Sequence, residues 1–359
     1  MSWESVKLAT IAAGARTLNT NLKLVGTPIT NLFDEGGIHQ FIKPGREVAG
    51  MVLYKDELTQ NLKNSNTPDR EEPIDPYEGF SMPWRWTQVV YTVDGFEVEN
   101  NLGGLTIEEV QNNPALLRDM GAGSLNTLIN RLAPRFNNMQ LSHRKKKEKD
   151  FLMKSSSKEF GEGPDGIDVI TEPDSEYAGI KYDQLGTSDW KSDLMGMTVP
   201  LWNPLHKDLG SSPITREHYV NAATDLQKMS NTLITVDADK PWTYFVVSTN
   251  RYNNGVLKEW FANRRVNSST DTEMTPTEEY MDSVHRIKFL VSPLMTNDNI
   301  TYFFQGGSIK RAAQRKRTPA DNLVVEKAYG RRRLKISMRE QYQYRTDQRW
   351  CTGWIKGTI

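Results

Sequence analysis

The chain has 359 residues, of which 37% are apolar, enough for a soluble protein of two or three compact lobes. Its 45 basic and 45 acidic side chains balance, so net charge favours neither a nucleic-acid nor a membrane partner, and the single cysteine, Cys351, excludes a disulfide framework and a cysteine-based zinc site. We see no signal-peptide pattern, and no apolar run approaches the roughly 20 residues that cross a bilayer.

The first predicted elements are an N-terminal arm and a two-stranded hairpin. Residues 1–40 hold one short helical pattern and are expected to lie over another surface. Residues 38–54 are rich in β-branched and aromatic side chains and predict a strand, whereas 55–82 are polar and broken by prolines. That polar stretch is either a disordered loop or the tip of a hairpin that goes out along 48–54 and returns along 86–93. Because an isolated two-stranded ribbon is marginal in water, we expect a neighbouring molecule to stabilise it.

A turn and a long helix are predicted next. Asp94-Gly95 suits a tight turn, and residues 96–99 alternate apolar and acidic side chains as a half-buried strand does. Thr106 and Glu109 have the spacing of a capping box. Beyond Pro114 an apolar residue recurs every three or four positions through 136, which predicts a helix on the order of 35 Å long. A long helix with an arm attached is typical of a framework rather than of a pocket.

A dense basic run follows at residues 143–149, His-Arg-Lys-Lys-Lys-Glu-Lys. The sequence places it where a helix ends, so a solvated helix end or loop is the favoured interpretation, and the helix dipole accounts for part of the charge. A phosphate-contacting patch is the alternative.

An alternating α/β pattern begins at Pro213. Thr215 is a helix cap, and the helix it opens is predicted to reach about Met229. The further predicted elements are a strand over 241–248, a helix over 252–266 opened by Thr249 or Asn250, strands over 287–291 and 300–304, and segments over 323–328, 334–344 and 350–355.

The search for catalytic or metal-binding motifs gives no candidate. The histidines stand singly, and no nucleotide-binding, zinc-protease or serine-hydrolase motif occurs. Asp165 and Asp168 have a spacing that invites a calcium site but lack the remaining oxygen ligands of a calcium loop. Cys351, in a strand-like segment, is better interpreted as a small buried hydrophobe than as a nucleophile. We therefore predict no enzyme activity, no cofactor and no metal.

A second basic concentration runs from Lys310 and Arg311 through Arg315 to Arg331 and Arg332. Clustered arginines pair either with phosphate or with acidic residues of a neighbouring subunit. The neutral chain and the absence of interleaved aromatic residues favour salt bridges between subunits.

The layout resembles the major capsid protein of tailed bacteriophages, with the Hong Kong 97-like fold. Four features carry the resemblance: the arm and hairpin that end in Val93-Asp94-Gly95-Phe96-Glu97, the step from Asn100-Asn101-Leu102-Gly103 into a long helix, the segment Tyr177-Ala178-Gly179-Ile180 before Trp190, and the α/β elements from Thr243 to the C-terminal strand. The resemblance covers nearly the whole chain, as a similarity of layout rather than of one diagnostic motif.

The resemblance implies an α+β shell subunit that assembles into hexamers and pentamers on an icosahedral lattice around packaged DNA. The implied domains are an N-terminal arm (1–40), an extended-loop hairpin (41–95), a peripheral domain with the spine helix (96–194, joined by 336–359) and an axial domain (195–335). Only about 40 residues precede the first predicted strand, so a separate scaffold protein is expected. Lys55 and Lys63 lie near the predicted tip, but nothing marks either for the lysine–asparagine cross-link of some members.

The predicted subunit-interface residues are Arg46, Lys55, Arg70, Glu71, Trp84, Arg85, Arg311, Arg315, Arg331 and Arg332. Further expected partners are portal and decoration proteins, with DNA enclosed without sequence-specific contact, no membrane, and assembly in the host cytoplasm. Two alternatives stay open: a tail-tube or connector protein, and a nucleic-acid-binding protein that uses the cluster from Arg311 to Arg333.

Overall fold

The computed structural model describes residues 38–42, 45–53, 77–94, 138–139, 141–152, 163–233, 242–265, 277–281, 286–314, 323–327 and 333–359. The chain divides into two compact units. The first unit comprises Met1–Gly26, Trp86–Lys147 and Arg315–Gln341, and the second comprises Thr27–Arg85, Glu148–Gln314 and Tyr342–Ile359. The predicted N-terminal helix, hairpin tip and spine helix lie outside the described residues.

The described elements mix strands and helices, which confirms the α+β class. The strands are β1 (His39–Ile42), β2 (Glu47–Leu53), β3 (Tyr77–Pro83), β4 (Arg85–Asp94), β5 (Thr187–Lys191), β6 (Thr198–Pro200), β7 (Leu205–Pro213), β8 (Thr243–Ser248), β9 (Thr277–Met281), β10 (Arg286–Ser292), β11 (Ile300–Gln305), β12 (Ile309–Ala313), β13 (Leu323–Lys327), β14 (Arg333–Thr346) and β15 (Thr352–Thr358). The helices are α1 (141–152), α2 (Ile167–Ile170), α3 (Arg216–Leu233), α4 (Thr249–Asn254) and α5 (Val256–Arg265), with a 3₁₀ turn at Arg349–Cys351.

A six-stranded sheet in the order β7-β15-β11-β8-β10-β9 forms the core of the second unit. Strands β8 and β10 are parallel, and α4 and α5 lie in the connection between them, as parallel strands require. Every residue of β8 is buried. Phe245 of β8 and Phe289 of β10 stack at 5.2 Å, and Tyr219 of α3 meets both rings edge-on. The apolar strand runs in the sequence are therefore the centre of a sheet covered by helices.

Helix α3 begins where the sequence predicts. Thr215 precedes it, and the Thr215 backbone N–H donates to Nδ1 of His218 at 3.1 Å, so a side chain three residues into the helix satisfies the first free donor. Burial lowers the pKa of His218, which favours the neutral ring that this bond needs.

The predicted helix over 252–266 is two helices. Its cap is also wrong, because Ser248, rather than Thr249 or Asn250, accepts the capping hydrogen bond from the Arg251 backbone N–H. The break falls at Gly255, whose extended backbone ends α4 before α5 starts. A Cβ at Gly255 would come within 2.7 Å of the Arg251 carbonyl oxygen, so this close approach needs glycine.

The predicted pairing of the hairpin is wrong in its returning strand. Strand β2 matches the outgoing strand, but it pairs antiparallel with β3, whereas β4, which contains 86–93, pairs with β14. The reason lies in 77–83, where Phe80 and Met82 alternate with small residues behind a proline-rich stretch. Buried Phe80 and Met82 alternate with exposed neighbours, which is the period of two that a strand with one buried face shows.

The C-terminal strand lies in the six-stranded sheet. β15 pairs antiparallel with β11 and parallel with β7. The sequence groups 336–359 with a peripheral domain, whereas the structure places 352–358 among the strands of the core sheet. Arg251 fixes this end of the chain, because its guanidinium donates to the carbonyl oxygens of Gly357 and Thr358 at 2.5 and 3.3 Å.

The basic run 143–149 lies within α1, so the interpretation of this run as a loop is wrong. In the first unit, Glu340 of β14 pairs with Lys147 at 2.7 Å and lies 3.4 Å from His143, which is one turn earlier on the same helix face. In this unit β13 pairs antiparallel with β14.

Candidate assembly surfaces

The ribbon formed by β2 and β3 has one buried and one open face. Val48 lies opposite Met82 and Gly50 opposite Phe80, so these four residues point to the same side. Val48, Phe80 and Met82 are buried, together with Val52. We call this side the inner face of the ribbon, and the side between these positions the outer face.

The inner face rests on aromatic residues of the same unit. The Phe80 ring lies 6.3 Å from that of Trp202, and Tyr177 lies 6.1 Å from Trp202. The Tyr177 hydroxyl donates to Sδ of Met82 at 3.6 Å, and burial raises the pKa of this tyrosine. The inner face of the ribbon is therefore anchored by its own chain, and the expected contribution of a neighbouring molecule concerns the outer face.

Arg345 fastens the ribbon from β14. Its Nη1 donates to the Ala49 carbonyl oxygen at 2.6 Å, and its guanidinium lies over the Phe80 ring at 5.5 Å. A Cβ at Gly50 would lie 2.3 Å from Phe80 Cζ and 2.5 Å from Arg345 Nη1. Glycine at this position lets the arginine and the ring close over the strand.

The surface beneath the ribbon is held by Arg349. Its guanidinium is buried and donates to the carbonyl oxygens of Ile170, Ser175 and Trp202 at 2.9, 2.8 and 3.3 Å, and to that of Glu172 at 2.5 Å. Burial lowers the pKa of Arg349 from 12.5 to about 10. One side chain thus joins two backbone segments, 170–175 and the turn at Trp202, to the C-terminal segment, and holds Trp202 where it contacts Phe80.

The outer face of the ribbon is open and carries large apolar side chains. Met51 is 69% exposed and Tyr77 is 51% exposed. Their neighbours Ala49, Gly79 and Ser81 are also exposed, and all are small. A flat two-stranded surface with two large apolar side chains is a surface that a partner can cover.

A second exposed apolar row lies on β4 in the first unit. Trp86 is 66% exposed and Val90 is exposed, whereas Thr87 between them is buried. The period of two identifies one face of the strand.

The structure separates the predicted interface residues. Arg46 is exposed and Arg85 is half-buried, and their role in a subunit contact stays a prediction. Trp84 is buried, and its Nε1 donates to the Gly45 carbonyl oxygen at 3.1 Å, which closes the base of the ribbon. Arg311 is 3% exposed and lies 4.5 Å over the Tyr342 ring. Lys55, Arg70, Glu71, Arg315, Arg331 and Arg332 lie outside the described residues.

Asp165 and Cys351, which the sequence analysis considered for metal binding and catalysis, have structural roles. Asp165 accepts from Nε2 of Gln343 at 2.9 Å, and its backbone N–H donates back to the same amide. Burial raises the pKa of Cys351, which disfavours the reactive thiolate. Among the described residues, no group of three or more histidine, cysteine or acidic side chains could hold a metal ion, and no helix is long and apolar enough to cross a membrane.

Sequence reasoning missed the residues that position the ribbon. Arg345 lies near the end of β14 and Arg349 in the 3₁₀ turn that follows, and both donate to backbone carbonyls, up to 296 residues away in sequence. Asp225 is a similar case: it is buried in α3 and accepts from the backbone N–H groups of Asp193 and Leu194 at 2.8 Å each. Backbone carbonyl and N–H groups occur at almost every residue and leave no pattern in the sequence, so no signal pointed to these contacts.

No protein-family model matches the chain, and no curated protein matches it. Solved structures do match along almost its whole length. The cyanophage A-1(L) capsid asymmetric unit matches with 12% identity, a TM-score of 0.57 and 94% coverage of each chain. The capsid of a native GTA particle matches with 10% identity, 95% and 93% coverage and a TM-score of 0.49, and the capsid of Myoviridae phage XM1 with 13% identity, 90% and 91% coverage and a TM-score of 0.43. On the first of these matches, which confirms the predicted resemblance, the chain has the fold of a phage capsid protein.

Proposed function

We propose that this chain is a major capsid protein that self-assembles into hexamers and pentamers of an icosahedral shell enclosing DNA. The observation that carries the proposal is the match to the cyanophage capsid subunit over 94% of both chains. A similarity that includes both the ends and the middle of the chain relates whole subunits rather than one shared domain.

The ribbon supports this function. Its inner face is closed by its own subunit, whereas the Met51 and Tyr77 side chains on the outer face are 69% and 51% exposed. A second copy of the chain is the occupant we propose for the outer face, because a shell brings identical subunits together at every contact. Exposed Arg46 and half-buried Arg85 both lie at the base of the ribbon, just before β2 and just after β3, and are proposed to pair with acidic groups of that copy.

The role we propose is structural rather than catalytic. The alternative nucleic-acid-binding role through the Arg311–Arg333 cluster is not favoured, since Arg311 is buried against Tyr342. A tail-tube or connector protein, the other alternative, differs in the assembly it forms. The proposed location is the virion capsid, with assembly in the host cytoplasm. The proposed further partners are a separate scaffold protein, a portal and decoration proteins.

Negative-stain electron microscopy of the purified chain, alone and with candidate scaffold protein, tests the function. Closed shells, or separate hexamers and pentamers, are the expected result. Stacked rings or tubes would instead assign the chain to a tail or connector, and a monomer that persists at high concentration with scaffold present would contradict the shell.

A further inference from the structure

The start of α3 carries a histidine where a capping box usually carries glutamate or glutamine. In a capping box, the side chain at the third helical position accepts a hydrogen bond from the backbone N–H of the capping residue. Thr215 precedes α3, and His218 is its third residue. Nδ1 of His218 accepts from the Thr215 backbone N–H at 3.1 Å and lies 2.8 Å from Thr215 Oγ1. A ring that titrates near neutral pH thus replaces a side chain that accepts at every such pH.

This hydrogen bond fixes the protonation state of the ring. The backbone N–H can only donate, so Nδ1 of His218 carries no proton and Nε2 carries the one proton of the neutral ring. In the protonated ring both nitrogens are donors. Nδ1–H can then donate to Thr215 Oγ1, but the Thr215 backbone N–H loses its acceptor. Protonation therefore exchanges the partner of the ring from the backbone to the hydroxyl.

The surroundings of His218 oppose protonation. Burial is the largest cause that lowers its pKa below the ordinary value of 6.5, and the positive charge of Lys207 on β7 acts in the same direction, whereas the negative charge of Glu217 opposes both. The start of α3 also carries the positive end of the helix dipole, which disfavours an imidazolium. The ring is therefore neutral at neutral pH and becomes charged only as pH falls below 6.5.

Further charged groups near the start of α3 have partners elsewhere. On β7 and β15, Lys356 donates to Asp208 at 2.8 Å. The Arg216 guanidinium, at the first position of α3, lies 4.8 Å over the Trp260 ring. His218 is thus the titratable group whose protonation acts directly on the Thr215 N–H.

The Thr215 N–H lies at the junction between the core sheet and α3. β7 ends at Pro213, which pairs with Thr358 of β15, and the Ile214 backbone N–H donates to the Thr358 carbonyl oxygen at 3.3 Å. Pro213 has no N–H, so the junction has two backbone donors, one bonded to β15 and one to His218. The bond to His218 is therefore the one that joins this junction to the helix.

We propose that His218 is a pH-sensitive helix cap, which fastens the junction between β7 and α3 at neutral pH and releases the Thr215 backbone N–H when acid protonates the ring. A pKa lowered by folding means that the cap stabilises the junction above pH 6.5 and loses this effect as pH falls through the pKa of folded His218. Because Thr215 is exposed, water can replace the lost acceptor, so the junction opens locally while the sheet stays folded. This inference is independent of the proposed capsid function.

Amide hydrogen exchange of the full chain, followed by NMR between about pH 8 and pH 5, tests the proposal. Protection factors of the Thr215 amide are compared, because they correct for the pH dependence of the intrinsic exchange rate. In wild type the protection should fall by about fivefold, the size of a typical capping effect. His218→Gln should stay protected at both pH values, because the glutamine oxygen accepts without titrating. His206→Gln, which removes a histidine from β7, should keep the wild-type pH dependence.

His218→Ala should lower the protection of the Thr215 amide by about fivefold at the higher pH and abolish its pH dependence. Should this variant fail to fold, wild type and His218→Gln decide the question. Equal wild-type protection at the two pH values, or a pH dependence that persists in His218→Gln, would overturn the proposal. The Phe245 amide in the buried strand β8 is the internal reference, and a parallel fall at both amides would mean global unfolding in acid and contradict a local cap.

Discussion

The six-stranded sheet and the β2–β3 ribbon, both in the second unit, bury their residues in different ways. In the sheet, every residue of β8 is buried, so both of its faces are covered within the subunit. In the ribbon, the inner face is buried, whereas Met51 and Tyr77 on the outer face are largely exposed. The central strand of the sheet is covered within one subunit, whereas the exposed outer face of the ribbon is the one that we propose a second copy covers. Changes in the two regions should therefore affect different measurements.

The largest expected effect is in the sheet. Phe245→Ala should lower the free energy of unfolding of the subunit by about 3–5 kcal/mol, because the side chain is fully buried against Phe289, Phe303 and Tyr219. Urea denaturation measures this loss. Met197→Ala, at an exposed position, should change stability by less than about 0.5 kcal/mol. Equal effects of the two changes would mean that the sheet is not the core.

Arg349→Lys should cost about 2–3 kcal/mol of subunit stability. Lysine keeps the charge but cannot reach the separate carbonyl oxygens that the guanidinium joins, so buried acceptors lose their donors. Denaturation with Arg46→Lys as control measures the difference, since Arg46 is exposed. A loss of stability as small as that of the control would show that the several hydrogen bonds of the Arg349 guanidinium are dispensable.

The two faces of the ribbon can be compared at two glycines. Gly50→Val should cost about 1–3 kcal/mol and make the ribbon sensitive to proteolysis, because even a Cβ there would overlap Phe80 and Arg345. Gly79→Val on the outer face should leave the isolated subunit unchanged, since nothing lies within 4 Å of a Cβ at that position. Equal proteolysis of the two variants would contradict the two-faced ribbon.

The smallest expected effect is at the edge of the sheet. Lys356 donates to Asp208 at 2.8 Å, and this bond holds the pKa of Asp208 below its ordinary value. A lowered pKa adds stability above the unfolded value, near 3.9, that is lost as pH falls through the folded pKa. Lys356→Gln should raise the pKa of Asp208 in an NMR titration. Lys228→Gln removes the ion-pair partner of Asp193 instead, and it should leave the pKa of Asp208 unchanged.

The sequence predicts the centre of the fold better than its edges. β8, β10 and β11 are apolar runs whose burial follows from composition, and Thr215 marks the start of α3 correctly. The edge strand β7 has the polar sequence Leu-His-Lys-Asp-Leu-Gly-Ser-Ser-Pro, typical of a loop, and it becomes a strand only because β15 pairs with it. The charged residues Lys310 and Arg311 likewise make the sequence of β12 unlike that of a typical strand.

The candidate assembly surface could be predicted only in part. Strand β2 and the existence of a hairpin follow from the sequence, but the identity of the returning strand depends on Phe80 and Met82 meeting Trp202 and Tyr177, nearly a hundred residues or more further along the chain. The arginines that hold the ribbon bind backbone carbonyls, which carry no side-chain signal. Long-range packing, rather than local propensity, decides which face of the ribbon is left open.

The most direct test of the account is the assembly of Met51→Asp/Tyr77→Asp, compared with Met197→Asp, by negative-stain electron microscopy. Both variants place charge at exposed apolar positions, so both subunits should fold with wild-type stability. We expect Met197→Asp to form shells and the double variant to remain as folded free subunits, because burying carboxylates against a second copy is unfavourable. Shells formed by the double variant as readily as by wild type would contradict the claim that the outer face of the ribbon is a subunit contact.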